Sequence, residues 1–212
     1  MKDYQKSFLN LAIKSQALQF GEFTLKSGRQ SPYFFNAANM LNGSNLYQLA
    51  KCYVDAITDN DIDFDCIYGP AYKGIFLGSM VATVFSEQGK NYPISFNRKE
   101  EKDHGEGGTI IGASPNGKVL IIDDVLSAGT AGRESINLII NHKASPCSFI
   151  VGLDRQEKGV SDKSASQELK NEFNIDVTSI VNLELLVAYV KDNSSLTNHF
   201  ESLNNYRKTW GI

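Results

Sequence analysis

The run of four apolar residues at 119–122 (Val-Leu-Ile-Ile) constrains the fold of this chain most. Such a run is typical of a strand buried on both faces, and strands of that kind occur in parallel sheets covered by helices. Two adjacent carboxylates, Asp123 and Asp124, follow the run, and a helix is predicted over 130–143. Since ligands of open α/β sheets bind outside the carboxyl ends of the strands, this junction is the first candidate site.

The rest of the chain repeats this alternation of short strands and helices. Strands are predicted at 23–25, 33–35, 65–68, 94–96, 109–111, 148–153 and 176–180, and helices at 2–18, 46–57, 75–88 and 164–173, with two more helical pieces after 180. The alternation predicts an α/β fold with a central, mostly parallel sheet flanked by helices, in a single domain over 1–212. Residues 1–40 break the alternation, and we expect them to form a small N-terminal hood that caps the site.

Composition limits the kinds of partner that this chain can have. The net charge of -3 provides no general positive field that would hold nucleic acid. The three cysteines form no CxxC pair, which argues against a zinc knuckle and indicates a reducing compartment. The uncharged, mainly apolar run 74–85 is shorter than the roughly 20 residues that cross a bilayer. We therefore expect a cytoplasmic protein whose partners include neither nucleic acid nor a membrane.

The segment after Asp124 is rich in small and hydroxyl residues. Backbone N–H groups of such a loop can approach an anion closely, and the N-terminus of the following helix adds a favourable partial charge. Ser127 and Thr130 supply hydroxyl donors, while Asp123 and Asp124 can accept hydrogen bonds from sugar hydroxyls. Paired aspartates after a strand are also common as a loop start and helix cap. The agreement of strand, loop and helix in one register favours a sugar-phosphate site.

Residues 119–131 resemble the phosphoribosyl pyrophosphate signature of the type I phosphoribosyltransferases. The resemblance implies that Asp123 and Asp124 face the ribose hydroxyls and that the following loop holds the 5′-phosphate. The loop residues assigned in this way are Val125, Leu126, Ser127, Ala128, Gly129, Thr130 and Ala131. The resemblance also implies a Mg²⁺ cofactor near the two aspartates, held mainly by the substrate and without a dedicated protein cage.

Residues 23–35 and the position after the 148–153 strand resemble the base-binding elements of one branch, the orotate phosphoribosyltransferases. A flat, anionic pyrimidine requires an aromatic or backbone surface and a cation, and a guanidinium group matches its carboxylate well. The resemblance implies that a lysine of the first segment contacts both substrates and that its two consecutive phenylalanines line the orotate pocket. It also implies that a serine of the phosphate loop and the arginine after the strand contact orotate. The residues so assigned are Lys26, Phe34, Phe35, Ser127 and Arg155.

Two other segments resemble the parts of that family that hold the diphosphate. Residues 68–74 resemble its pyrophosphate loop, which places Tyr72 and Lys73 at the diphosphate. Residues 97–108, of which seven are charged, resemble its catalytic loop, which closes over the diphosphate in a homodimer. By position, the cations implied to act in the other subunit's site are Arg98, Lys102 and His104, while Lys99 serves its own subunit. A charged run by itself is usually a solvated loop.

Together these segments predict a Mg²⁺-dependent member of the orotate phosphoribosyltransferase family, which forms orotidine 5′-monophosphate and pyrophosphate in UMP biosynthesis. Its expected catalytic residues are Lys102, His104, Asp123 and Asp124. One alternative is a phosphoribosyltransferase for another base, such as a purine, against which the aromatic pair and Arg155 argue. Another is a non-catalytic regulator that senses phosphoribosyl pyrophosphate. The negative net charge and the complete catalytic-loop pattern argue against that class.

Overall fold

A computed structural model describes residues 1–25, 27–102, 108–126, 129–159 and 162–212, apart from the side chains of 99–102. The α-helices are α1 (Asp3–Lys14), α2 (Gly43–Asp59), α3 (Lys73–Glu87), α4 (Thr130–Asn141), α5 (Ala165–Phe173), α6 (Leu183–Asp192) and α7 (Phe200–Trp210). The strands are β1 (Leu18–Thr24), β2 (Gln30–Phe35), β3 (Cys66–Gly69), β4 (Ile94–Lys102), β5 (Gly108–Gly112), β6 (Lys118–Leu126), β7 (Ser145–Asp154) and β8 (Asp176–Asn182). Short 3₁₀ turns occur at Ala37–Met40 and Thr197–His199.

The central sheet has six strands in the order β5-β4-β3-β6-β7-β8. Its neighbouring strands are parallel except for β4 and β5, which pair antiparallel at one edge. The predicted α/β architecture is therefore confirmed. From β3 the chain builds outward through β4 and β5 and then returns to β6 on the other side of β3. In open parallel sheets such a reversal leaves a crevice at the carboxyl ends of the two central strands.

The position of β6 in the middle of the sheet explains its apolar sequence. Val119 and Ile121 face the cluster formed with α4 and α5, whereas Leu120 and Ile122 face the larger cluster formed with α1, α2 and α3. All four side chains have an exposed fraction of 0%. Because alternate residues of a strand point to opposite faces, a strand between two helical layers has no solvent-facing position for a charge. Carboxylates therefore appear where β6 approaches the edge of the sheet.

The N-terminal hood is confirmed as a separate antiparallel pair, β1 with β2. Its position over the site remains a prediction. The helix predicted over 2–18 was too long, since α1 ends at Lys14. The Ser15 hydroxyl donates to the carbonyl oxygen of Leu11, and Gln16 adopts a left-handed backbone conformation with φ 57°. This reversal leads the chain directly into β1.

Two strands of the central sheet extend beyond their predicted ends. β6 continues to Leu126, and β4 continues to Lys102. The expectation that residues 97–108 form a loop was therefore wrong for 97–102, which belong to β4. Antiparallel pairing with β5 extends this strand and sets Lys102 opposite Gly108. Residues 103–107 lie outside the described residues. No helix in the described ranges has the length and apolar content of a membrane span.

Candidate active site

The carboxyl ends of β3 and β6 form the centre of the candidate site. Tyr68 of β3 is paired with Ile121 of β6, so the turn after β3 lies beside the acidic end of β6. Two glycines allow this close approach. A Cβ atom at Gly69 would collide with the carbonyl oxygen of Gly74, and one at Gly74 would lie 2.7 Å from the carbonyl oxygen of Ile122. Only glycine fits at these two positions, because the turn packs directly against the backbone of β6.

A lysine and two aspartates meet at this crevice. The Nζ atom of Lys73, at the start of α3, lies 2.6 Å from Oδ2 of Asp124. The side chain of Asp124 is 9% exposed and that of Lys73 is 39% exposed. Parallel strands bring their carboxyl ends to one edge, which explains why residues 51 positions apart in sequence form this ion pair. Three of the predicted site residues are thus brought together.

A buried tyrosine forms a hydrogen bond to the backbone of the acidic pair. The hydroxyl of Tyr53, on α2, donates to the main-chain carbonyl oxygen of Asp123 at 2.8 Å. The amide N–H of Asp124 donates to Oδ1 of Asp123 at 2.9 Å. Burial, followed by the negative charge of Asp124, raises the pKa of Asp123 from 3.8 to about 7. Asp123 therefore exchanges its proton near neutral pH.

The pyrophosphate-loop candidate, residues 68–74, is hydrogen-bonded to the neighbouring strand β4. Oδ1 of Asn97, on β4, accepts a hydrogen bond from the backbone N–H of Ala71 at 2.7 Å. Tyr72 is 67% exposed and lies at the N-terminus of α3. The Nε atom of Arg98 is buried, and no residue within the described ranges bonds it. Asn97 was missed in the sequence, because an amide in a polar run gives no sign of the loop that it holds.

The predicted phosphate loop is only partly described. Ser127 and Ala128 lie outside the described residues. Gly129 has φ 74° and precedes α4, whose first residues Thr130 and Ala131 are exposed. The side chain of Leu126 belongs to the core, so only its backbone can serve an anion. Val125 is partly buried. The N-terminus of α4 therefore opens at the same edge of the sheet as the acidic pair.

The two predicted aromatic residues of the hood point in opposite directions. Phe34 is 39% exposed and stacks on Phe23, with ring centroids 5.5 Å apart. Phe35 is 8% exposed and packs in the core against Phe8 at 5.8 Å. Consecutive residues of a strand face opposite sides, so both rings cannot line one pocket. The side chain of Phe35 therefore belongs to the core, and its assignment to the orotate pocket, which only its backbone could fulfil, stays a prediction. Lys26 lies outside the described residues.

Replacing Phe34 and Phe35 separately by alanine is expected to separate binding from stability. Phe34→Ala should raise the KM for orotate severalfold with little change in the free energy of unfolding. Phe35→Ala should lower the free energy of unfolding by about 3–5 kcal/mol through a core cavity, with little change in that KM. Steady-state kinetics and denaturant unfolding of both variants measure this. Equal effects of the two variants on KM would contradict the assignment.

Arg155 follows β7 at the same edge of the sheet, where Asp154 pairs with Leu126 of β6. It is only 7% exposed, and its guanidinium carbon lies 4.1 Å from the ring centroid of Tyr33. Its Nε atom donates to Oε1 of Glu157 at 2.8 Å. Arg155 is therefore part of a buried polar cluster and not a free cation at a loop tip. Glu157 was not predicted from the sequence as part of the site.

Comparison with known proteins decides the family. A family model described as a phosphoribosyl transferase domain matches residues 36–183. The protein named orotate phosphoribosyltransferase in Marinobacter nauticus is 50% identical over 212 residues, which is 100% of each chain. Its namesake in Salmonella typhi is 44% identical over 213 residues, again 100% of each chain. The chain belongs to the orotate phosphoribosyltransferase family.

Solved structures agree with this assignment. The crystal structure of orotate phosphoribosyltransferase from Francisella tularensis has a TM-score of 0.86 and 42% identity, and the match covers 97% of this chain and 99% of that chain. The enzyme of that name from Aeropyrum pernix, with 22% identity and a TM-score of 0.70 over 87% of this chain and 98% of that chain, supports the fold alone. The predicted family and its enzyme class, a pentosyltransferase of pyrimidine biosynthesis, are therefore confirmed.

Proposed function

We propose that this chain transfers ribose 5-phosphate from phosphoribosyl pyrophosphate to orotate at the crevice between β3 and β6. The observation that carries the proposal is the contact of 2.6 Å between Lys73 and Asp124. This contact places Lys73, the cation of the pyrophosphate-loop candidate, beside Asp123 and Asp124 at the crevice between β3 and β6. A phosphorylated sugar is bound by such a combination, because cations bind its phosphate groups and carboxylates accept hydrogen bonds from its hydroxyls.

The residues divide between the parts of the cosubstrate. Asp123 and Asp124 accept hydrogen bonds from the ribose hydroxyls. Tyr72 and Lys73 contact the diphosphate. The 5′-phosphate lies at the N-terminus of α4, where the backbone N–H groups of 127–131 and the hydroxyls of Ser127 and Thr130 serve as donors. The exposure of Tyr72, Thr130 and Ala131 supports this arrangement, because a ligand must reach them from solvent.

The acidic pair also fits a Mg²⁺ ion that takes most of its ligands from the substrate. Carboxylate oxygens are suitable ligands, and within the described ranges no group of three or more acidic, histidine or cysteine side chains could enclose an ion. Asp123 and Asp124 would hold it from the protein side. When bound, the ion neutralises part of the charge on the diphosphate.

The protein's contribution to the reaction is chiefly positioning and charge stabilisation. A ring nitrogen of orotate displaces pyrophosphate at the anomeric carbon with inversion, through a transition state that resembles an oxocarbenium ion. Cations beside the diphosphate stabilise the charge that develops on the leaving group. We assign this role to Lys73 and Lys99 within one subunit. In a homodimer, the cations that act in the other subunit's site are Arg98, Lys102 and His104.

The orotate end of the site lies beside the hood, with Lys26, Phe34 and Ser127 around the base and Arg155 at its carboxylate. A test is the loss of orotate absorbance with phosphoribosyl pyrophosphate and Mg²⁺ present. Arg155→Ala is expected to raise the KM for orotate about 10- to 100-fold, since hydrogen bonds to a charged group are worth about 1.5–3 kcal/mol. The KM for phosphoribosyl pyrophosphate should stay within about twofold. Turnover of another base in preference to orotate would contradict the proposal.

A matched control is available on the other side of the molecule. Lys170 forms an exposed ion pair with Asp176, and exposed pairs of this kind contribute little to stability. Lys170→Ala removes a cation of similar size without touching the crevice. Both Michaelis constants should remain at their original values in this variant.

A further inference from the structure

Three charged side chains form a buried cluster between the hood, the end of β7 and helix α7. The exposed fractions of their side chains are 16% for Arg29, 8% for Arg155 and 11% for Glu157. The guanidinium groups of Arg29 and Arg155 stack on Trp210 and Tyr33, at 4.2 and 4.1 Å from the ring centroids. Charges are rarely buried to this extent unless they are paired or bind a ligand.

Glu157 is the centre of this cluster. Its Oε1 atom accepts hydrogen bonds at 2.8 Å from Nε of Arg155 and at 2.8 Å from the hydroxyl of Tyr206. Its Oε2 atom accepts from Nη1 of Arg29 at 2.9 Å. One carboxylate thus joins two arginines that come from distant parts of the sequence. Removal of such a group would leave both guanidinium groups without their common partner.

The contacts fix the plane of the Arg155 guanidinium from one edge. Nε and Nη2 both lie against Oε1 of Glu157, and Nη2 also donates to the hydroxyl of Ser31 at 3.0 Å. Within the described part of the chain, no residue is hydrogen-bonded to Nη1 of Arg155. Among the described residues, none competes with a ligand for the edge that carries Nη1. A planar guanidinium held on one edge presents the other in a defined direction.

The charges of the cluster also favour an anion. Two guanidinium groups and one carboxylate leave one excess positive charge among these three side chains, in surroundings with little water. The neighbouring carboxylate of Asp154 is engaged elsewhere, with the backbone N–H of Gln156 and the hydroxyl of Ser166. A ligand with a single carboxylate would balance the excess charge.

We propose that Glu157 is a positioning residue for the base substrate: it holds Arg155 by Nε and Nη2 so that Nη1 meets the substrate's carboxylate. This inference rests on the proposed role of Arg155 in orotate binding. Glu157 itself does not touch the substrate. Its effect should therefore appear in the affinity for orotate, should depend on Arg155 being present, and should leave the affinity for phosphoribosyl pyrophosphate unaltered.

A double-mutant cycle tests this dependence. Glu157→Gln keeps the size of the side chain but removes its charge, and it is compared in the original and in the Arg155→Ala background. In the original background the KM for orotate should rise about tenfold, with the KM for phosphoribosyl pyrophosphate within about twofold. In the Arg155→Ala background the same change should alter the KM for orotate by less than about twofold. Asp176→Asn, which removes an exposed carboxylate on β8, is the control.

The outcomes separate the two proposals. If Arg155→Ala leaves the KM for orotate unchanged, the proposed role of Arg155 is wrong. If Arg155→Ala raises this KM but Glu157→Gln leaves it unchanged or lowers it, only the positioning role is overturned. Equal effects of Glu157→Gln in both backgrounds would also overturn it, since Glu157 would then act without Arg155. Thermal unfolding of each variant verifies that the compared proteins are folded.

Discussion

Lys102→Ala is expected to lower kcat about 100-fold or more while the fold remains intact. The reason is that a cation on a departing diphosphate in a site without water is worth several kcal/mol in the transition state, and each 1.4 kcal/mol or so is tenfold in rate. Lys102 is the last residue of β4, and its backbone pairs with Gly108 at the sheet's edge. Lys118→Ala is the matched control, because Lys118 begins β6 and pairs with exposed Asp63. Near-normal turnover of Lys102→Ala would refute the role.

Mixed dimers test whether Lys102 acts across the subunit interface. Lys102→Ala and Asp124→Asn chains are each expected to be inactive alone. If Lys102 serves the partner's site, a mixed dimer contains one site with both changes and one site with neither. Random mixing of equal amounts should then restore about one quarter of the original activity. No recovery after refolding the mixture would argue for sites built within one chain.

Asp123→Asn is expected to stabilise the protein while it abolishes most of the activity. The folded-state pKa of Asp123, about 7, lies above the ordinary value of 3.8, because the carboxyl is buried beside Asp124. The unfolded chain therefore releases this proton first, and stability is lost as pH rises from about 4 through about 7. Each unit of pKa difference is worth about 1.4 kcal/mol, so the asparagine variant should be more stable by a few kcal/mol at alkaline pH.

Denaturant unfolding at pH 5 and pH 8 measures this difference. The stabilisation by Asp123→Asn should be larger at pH 8, whereas Asp63→Asn, at a carboxylate that is 80% exposed, should show no such trend. In the original enzyme, kcat/KM for phosphoribosyl pyrophosphate should rise with pH through about 7, because the ionised carboxylate of Asp123 accepts a hydrogen bond from a ribose hydroxyl more strongly than the protonated form does. A stability difference that is constant with pH would mean that the carboxyl ionises normally.

The centre of the fold could be predicted because local sequence and tertiary environment agree there. The apolar run 119–122 requires burial on both faces, and only a central strand provides it. The ion pair of Lys73 with Asp124 was not predicted, but the rule that parallel strands bring their carboxyl ends to one edge explains it. These features depend on short patterns and on one general rule of α/β topology.

Other features depend on contacts that no local pattern contains. The charged end of β4 forms a strand only because β5 pairs with it, and charged residues have low strand propensity by themselves. Glu157 follows a strand end and has the appearance of a solvated loop residue. Its partners Arg29 and Tyr206 are 128 and 49 positions away. The opposite orientations of Phe34 and Phe35 could have been predicted, because strand alternation alone separates the two side chains.

The buried cluster around Glu157 has a consequence for the order in which the parts of the proposed site are completed during synthesis. The strands of the acidic edge, β3, β6 and β7, are all synthesised before Arg155. The cluster needs Tyr206, and Trp210 both stacks on Arg29 and accepts from the backbone N–H of Lys158. Because synthesis proceeds from the N-terminus, the cluster that holds Arg155 is complete only after α7 has been synthesised.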